Sequence, residues 1–155
     1  MATERESSPA ANAAGSVSPR AIVEHMASIN PVFQAMAMEI VDVSLGSATL
    51  AMRIRPDMGN TFGVCHGGIT FALADMAFGF SSNTYNERSV TAGASIEYIA
   101  PARVGDRLLA EVRETHRGSR TGLYDVRVSV EGGDTVAIIR GRMRVVGGTI
   151  LKPGA

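Results

Sequence analysis

A chain of 155 residues with 45% hydrophobic content is long enough to bury one globular core and short for a second. Its 15 basic and 15 acidic side chains cancel, which argues against nucleic acid or an anionic membrane as the main partner. The single cysteine, Cys65, excludes an intrachain disulfide and leaves no cysteine cluster for a metal.

The first twenty residues are rich in Ala, Ser, Glu and Pro and lack the apolar core of a signal peptide. They read as a disordered tail, 1–20, and no apolar run has membrane-spanning length. A cytoplasmic protein is the expectation. Ala21 to Ser28 suits a short helix, and Pro31 opens a second turn through about Met36. From Met38 the period changes. Ile40, Asp42 and Ser44 alternate with Val41 and Val43, and Leu45-Gly46-Ser47 reads as a turn. Ala48, Leu50, Met52 and Ile54 share one face of a second strand, completing a hairpin. Pro56 to Val64, with Gly59, Asn60 and Gly63, reads as a loop.

Cys65-His66-Gly67-Gly68 then opens a helix expected over Gly67–Tyr85. That helix is apolar nearly all round, so it should be buried. Two features mark it chemically. A glycine pair at a helix start leaves approachable N–H groups, which suit an oxyanion. A lone carboxylate, Asp75, sits in the apolar run, where burial is expensive without a task or a strong partner. Together they suggest acyl transfer or hydrolysis. Phe71, Phe78 and Phe80 lie at core spacing, with an acyl-pocket wall as the other reading.

Four strands are expected next, over Val90–Ile99, Arg107–His116, Leu123–Glu131 and Thr135–Val146, separated by Pro101–Asp106, Arg117–Gly122 and Gly132-Gly133-Asp134. Short connections favour antiparallel pairing. A curved antiparallel sheet around one central helix is the simplest way to bury that helix, an α+β fold. The expected domain is 21–148, with a C-terminal tail over 149–155.

Four segments carry a family resemblance: Asn60-x5-His66-Gly67-Gly68; Leu73-Ala74-Asp75-Met76-Ala77-Phe78; Tyr98-Ile99-Ala100-Pro101-Ala102-x2-Gly105-Asp106; and Gly118-x2-Thr121-Gly122-x-Tyr124-Asp125-Val126. In this order and spacing the chain resembles the hotdog-fold acyl-CoA thioesterases, in particular their phenylacetate-pathway (PaaI-type) branch, over roughly Asn30 to Gly148. The resemblance implies a hotdog fold. It also implies hydrolysis of an aryl or medium-chain acyl-CoA, with CoA as part of the substrate and no further cofactor.

It further implies that Asp75 attacks the thioester carbonyl or activates a water to do so. Gly67 offers its N–H to the carbonyl oxygen; the other reading is a glycine kept for close packing. Asn60 could hold the water or donate to the carbonyl oxygen, or simply shape a turn. His66 could orient the loop, contact the carbonyl or bond backbone; no nearby Ser or Cys makes it a triad base. Thr91 matches a hydroxyl that places water in some relatives, although a β-branched strand residue needs no such role. Cys65 reads as a small buried hydrophobe.

Around the turn after the fourth strand, Arg117, Gly118, Arg120 and Thr121 offer two cations and backbone donors to CoA phosphates, or form a solvated hairpin tip. Arg140, Arg142 and Arg144 read as cross-strand pairing outside the site. Gly67 and Asp75 are eight residues apart, about 12 Å along a helix. One carbonyl cannot touch both, so if both act the site takes one from each of two chains, with a homodimer as the minimal unit. The family suggests a homotetramer. Two competing readings stand beside this one. A hotdog hydratase would want a catalytic Asp–His pair in a different segment, and no such pair is found there. A non-catalytic acyl-CoA-binding module would keep the turn and lose Asp75.

Overall fold

Ser18 starts the first helix, accepting a hydrogen bond from Ala21 N–H at 3.2 Å while Pro19 fills the first helical position. The structure, a computed structural model, describes residues 17–152. Helix α1 runs Pro19–Ser28, so Pro19 and Arg20 belong to it rather than to the tail; residues 1–16 of the expected tail lie outside the described residues. Asn30 caps α2 (Pro31–Ala35) in the same way, accepting from Phe33 N–H at 3.0 Å.

Six strands occur in the expected order: β1 (Glu39–Ser44), β2 (Ser47–Arg53), then after the long helix β3 (Ser89–Tyr98), β4 (Arg107–Arg117), β5 (Thr121–Val130) and β6 (Thr135–Val145). They form one antiparallel sheet in the order β1-β2-β4-β5-β6-β3. Helix α3 (Gly67–Asn83) lies on one face and packs against β2 through β6. The helix comes between β2 and β3 in sequence, which is how β3 reaches the far edge beside β6.

Period-two patterning decides which side chains meet that helix. Leu50, Met52 and Ile54 from β2 and its end, Leu108 and Ala110 from β4, Val126 and Val128 from β5, and Ala137 and Ile139 from β6 are buried with Leu73, Ala77, Phe78 and Phe80. Each large side chain buried this way contributes roughly 1.5–3 kcal/mol. Phe78 lies 5.5 Å from Tyr124 between ring centroids and over Gly141, where an added Cβ would come within 2.4 Å of its ring. Phe78 and Phe80 are therefore core rather than pocket wall; Phe71 is half-buried.

The register shifts at four places, at Thr115 in β4, at Val136 in β6, and at one residue each in β1 and β3. In β1, Ile40 pairs with Leu50 and Asp42 with Thr49, so Val41 is an extra residue. This β-bulge turns both Ile40 and Val43 to the core and leaves Val41 exposed, against the strict alternation expected. The shift in β3, at Ala92, concerns the site. Helix α3 also departs from expectation: Ile69, Phe71, Ala72, Asp75, Met76 and Gly79 are only half-buried and Gly68 is exposed. The sheet covers one side of α3 and α1 packs against part of the rest, and β3 is the last strand, so among the described residues the remaining side stays open.

Candidate active site

The start of α3 is built by accounting for its backbone donors. His66 is the N-cap, with φ −62° and ψ 134°, and its Nδ1 accepts from Gly68 N–H at 3.0 Å. Its carbonyl accepts from Ile69 N–H at 2.9 Å and Thr70 N–H at 3.2 Å. The Gly67 N–H has no acceptor among the described residues, which leaves it as the open donor of the first turn. His66 therefore shapes the helix entry. Its ring is exposed, and with Nδ1 accepting, the neutral form carries its proton on Nε2.

The Tyr98 hydroxyl donates to the Gly67 carbonyl at 2.8 Å, and an added Cβ at Gly67 would lie 3.0 Å from the Tyr98 ring. Both readings of Gly67 thus have a physical basis: close packing below and an open donor above. Asn60 Oδ1 accepts from Phe62 N–H at 2.9 Å and Val64 N–H at 3.3 Å, which makes it the organiser of its turn. Its Nδ2 has no acceptor among the described residues. Asn60, Gly67, Tyr98, Ile99 and Val136 line a groove of about 320 Å³. Cys65 lies at its base with Thr70 Oγ1 3.6 Å from its sulfur; burial pushes its thiol pKa up, which suits a packing role.

Asp75 belongs to a second cluster, two turns further along α3. The Thr91 hydroxyl donates to Asp75 Oδ1 at 2.9 Å, while Oδ2 has no donor among the described residues. Asn83, at the helix end, holds β3 in place for this contact. Its Oδ1 accepts from Ser89 N–H at 3.0 Å and its Nδ2 donates to the Ser89 carbonyl at 3.1 Å. The fold thus brings Asp75 to Thr91 and gathers Asn60, Gly67 and Tyr98, but keeps the two groups apart on one continuous helix.

The turn between β4 and β5 differs from a pair of free cations. Arg117 is paired with Glu87 and lies over the Tyr85 ring, 3.7 Å from its centroid. Tyr85 in turn donates to Glu114 at 3.0 Å. Gly118 N–H is taken by the Thr121 carbonyl at 2.8 Å. Arg120 and Thr121 are exposed, and Arg120 is the cation without a side-chain partner there among the described residues. Arg140 grips Asp125 with two hydrogen bonds, 2.7 and 2.9 Å, as the cross-strand reading expects.

The contact between Tyr98 and Gly67 is not legible in the sequence, although Tyr98 is among the motif residues. Nor is the edge position of β3. All of β3 except Ser89 and Ile96 is exposed, so its outer edge and the open side of α3 lie together.

Comparison with known proteins bears on this geometry. A family model described as the thioesterase superfamily matches residues 62–137, which include His66, Gly67, Asp75 and Thr91. The acyl-coenzyme A thioesterase PaaI of Escherichia coli K12 is 34% identical over 117 residues, covering 76% of this chain and 84% of that protein. The solved structure of E. coli PaaI, from the phenylacetic acid degradation operon, matches with TM-score 0.83 at 30% identity, over 84% of this chain and 95% of that one. A Streptococcus mutans UA159 protein, solved bound to acetyl-CoA, matches with TM-score 0.70 at 29% identity, over 72% and 90%.

Proposed function

Because this chain belongs to the thioesterase superfamily and is a thioester hydrolase with the hotdog fold, we propose that it cleaves acyl-CoA to the free acid and CoA across a homodimer interface. Asp75 of one protomer and the Gly67 N–H of its partner act on the same carbonyl. The observation that carries this reading is Asp75 itself: a carboxylate on the open side of an apolar helix, fixed through one oxygen by Thr91 at 2.9 Å. Its other oxygen is left to attack the carbonyl or take a proton from the attacking water. The Gly67 N–H, aided by the helix dipole, receives the charge that develops on the carbonyl oxygen. In the water route the proton that Asp75 takes passes to the departing thiolate; in the direct route the thiolate leaves an acyl–Asp75 anhydride, which a water then cleaves to the free acid and regenerated Asp75.

The dimer is argued from length and exposure. Gly67 and Asp75 lie about 12 Å apart along one helix, beyond the reach of a single carbonyl. A two-fold contact along the free edge of β3 would cover that edge and the open side of α3 in one step. It would also bring the start of each α3 toward Asp75 of the other. The apolar walls Val64, Ile99 and Val136 beside Gly67 suit an aryl or medium-chain acyl group. The exposed Arg120 and Thr121 are the groups placed to meet CoA phosphates, with Arg117 shaping the turn from below.

The test is thiol release from phenylacetyl-, hydroxybenzoyl-, hexanoyl- and lauroyl-CoA by wild type and Asp75→Asn. Wild type should release CoA from at least one, and the variant should lose about 10²-fold or more. Tight CoA binding without release would make the protein a binding module. Release untouched by the substitution would remove Asp75 from the mechanism.

A further inference from the structure

Sequence alternation alone would turn Thr91 away from Asp75. β3 pairs with β6 through Tyr98↔Ala137, Ile96↔Ile139 and Ala94↔Gly141, and those β6 partners are buried under the helix. Continued regularly, the strand would place Ala92 opposite Met143 on the helix side and Thr91 on the outer face. Instead Gly93 pairs with Arg142 and Thr91 with Met143, leaving Ala92 as an extra, unpaired residue. This bulge moves Thr91 by one position, to the face where its hydroxyl meets Asp75.

The carbonyl of that extra residue is met by a side chain from the neighbouring strand: Arg142 Nη2 donates to it at 3.3 Å. Arg142 differs here from Arg140, two residues earlier on the same face, whose guanidinium is committed to Asp125. Arg142 has no acidic partner among the described residues, and its guanidinium lies over Gly93, 3.8 Å from where a Cβ would stand, an ordinary contact distance.

We propose that Arg142 is a positioning residue for the thioesterase reaction: it fixes the bulge at Ala92, and the bulge sets Thr91 to hold Asp75. The inference rests on the reading of Asp75 given above. Arg142 acts from the opposite face of the sheet and reaches the reaction only through Thr91.

The experiment is a double-mutant cycle on the full chain with Arg142→Met and Thr91→Ala, with Arg142→Lys and Asp75→Asn run alongside. Arg142→Met should lower kcat about three- to tenfold, the loss typical of one hydrogen bond, with KM nearly unchanged. Arg142→Lys, which keeps a long donor, should recover most of it. Arg142→Met combined with Thr91→Ala should be no slower than Thr91→Ala alone. The inference is overturned if Arg142→Met matches wild type or if the two losses multiply. A salt-dependent rise in KM would overturn it too, because it would place Arg142 on a CoA phosphate. Activity retained by Asp75→Asn would sink the underlying reading instead, so the two failures are separable.

Discussion

Replacing Gly67 by proline would remove the open backbone N–H at the start of α3. Proline is well accepted at the first helical position, and it requires an extended residue before it. His66, at φ −62° and ψ 134°, already has that conformation. Loss of the N–H itself breaks no hydrogen bond within the protomer, because the Gly67 N–H has no acceptor among the described residues. The new ring would press on Tyr98 Cζ and Oη, whose hydroxyl donates to the residue 67 carbonyl at 2.8 Å, so a shift of Tyr98 puts that one hydrogen bond at risk. The cost in stability should be no more than about 1 kcal/mol, that of one hydrogen bond, while kcat falls about 10²–10³-fold, the cost of one oxyanion donor.

The decisive form of this experiment mixes chains. Gly67→Pro breaks one half of each site and Asp75→Asn the other. Co-expressed in equal amounts, half of the dimers pair one variant with the other. In such a dimer one site carries both lesions and its two-fold mate carries neither. About a quarter of wild-type activity should return, from two chains that are each nearly inactive alone. Tandem tags select the mixed dimer, and thiol release measures it. If Gly67 and Asp75 served one site within one chain, every site would keep one lesion. A mixture no more active than the mean of its parents would refute the shared site, and an active Gly67→Pro homodimer would refute the donor role.

Two further outcomes are expected. Arg120→Glu should raise KM for acyl-CoA by about tenfold at low salt and leave kcat unchanged, with the effect shrinking as salt is added. A thioester of N-acetylcysteamine, which lacks the nucleotide, should show no change, and an equal loss on both substrates would move the phosphates elsewhere. Gly141→Ala would drive a methyl group to within 2.4 Å of the Phe78 ring, which is fully buried and cannot retreat. A destabilisation of about 1–3 kcal/mol is expected, read as a lowered midpoint in denaturant; an unchanged midpoint would mean that the core yields more readily than its packing implies.

Much of the fold is legible in the amino-acid sequence. Residues at even positions 48–54 announce the buried face of β2, and all four are buried. The later strands fall within two residues of the expected bounds. The remaining features escape for identifiable reasons. Val41 and Ala92 each look like ordinary strand residues, because a bulge is defined by the partner strand and not by the residue in it. A signal does exist for the second. Gly93, inside a strand and flanked by alanines, is the kind of residue that marks a bulge or a close approach.

Local chemistry, then, determined the elements and the reactive groups. Helix caps, period-two faces, turn residues and an acid in an apolar helix all act over a few neighbours, so the chain states them directly. Tertiary structure decided what those groups face. It placed Thr91 on Asp75 through a shifted register, joined Arg142 to a carbonyl 50 residues away, and tied Arg117 to Glu87 30 residues away. Among the described residues it also left part of α3 and the edge of β3 uncovered together. Each of these depends on which strand lies beside which, and that is set by burying a common core rather than by any short stretch of sequence.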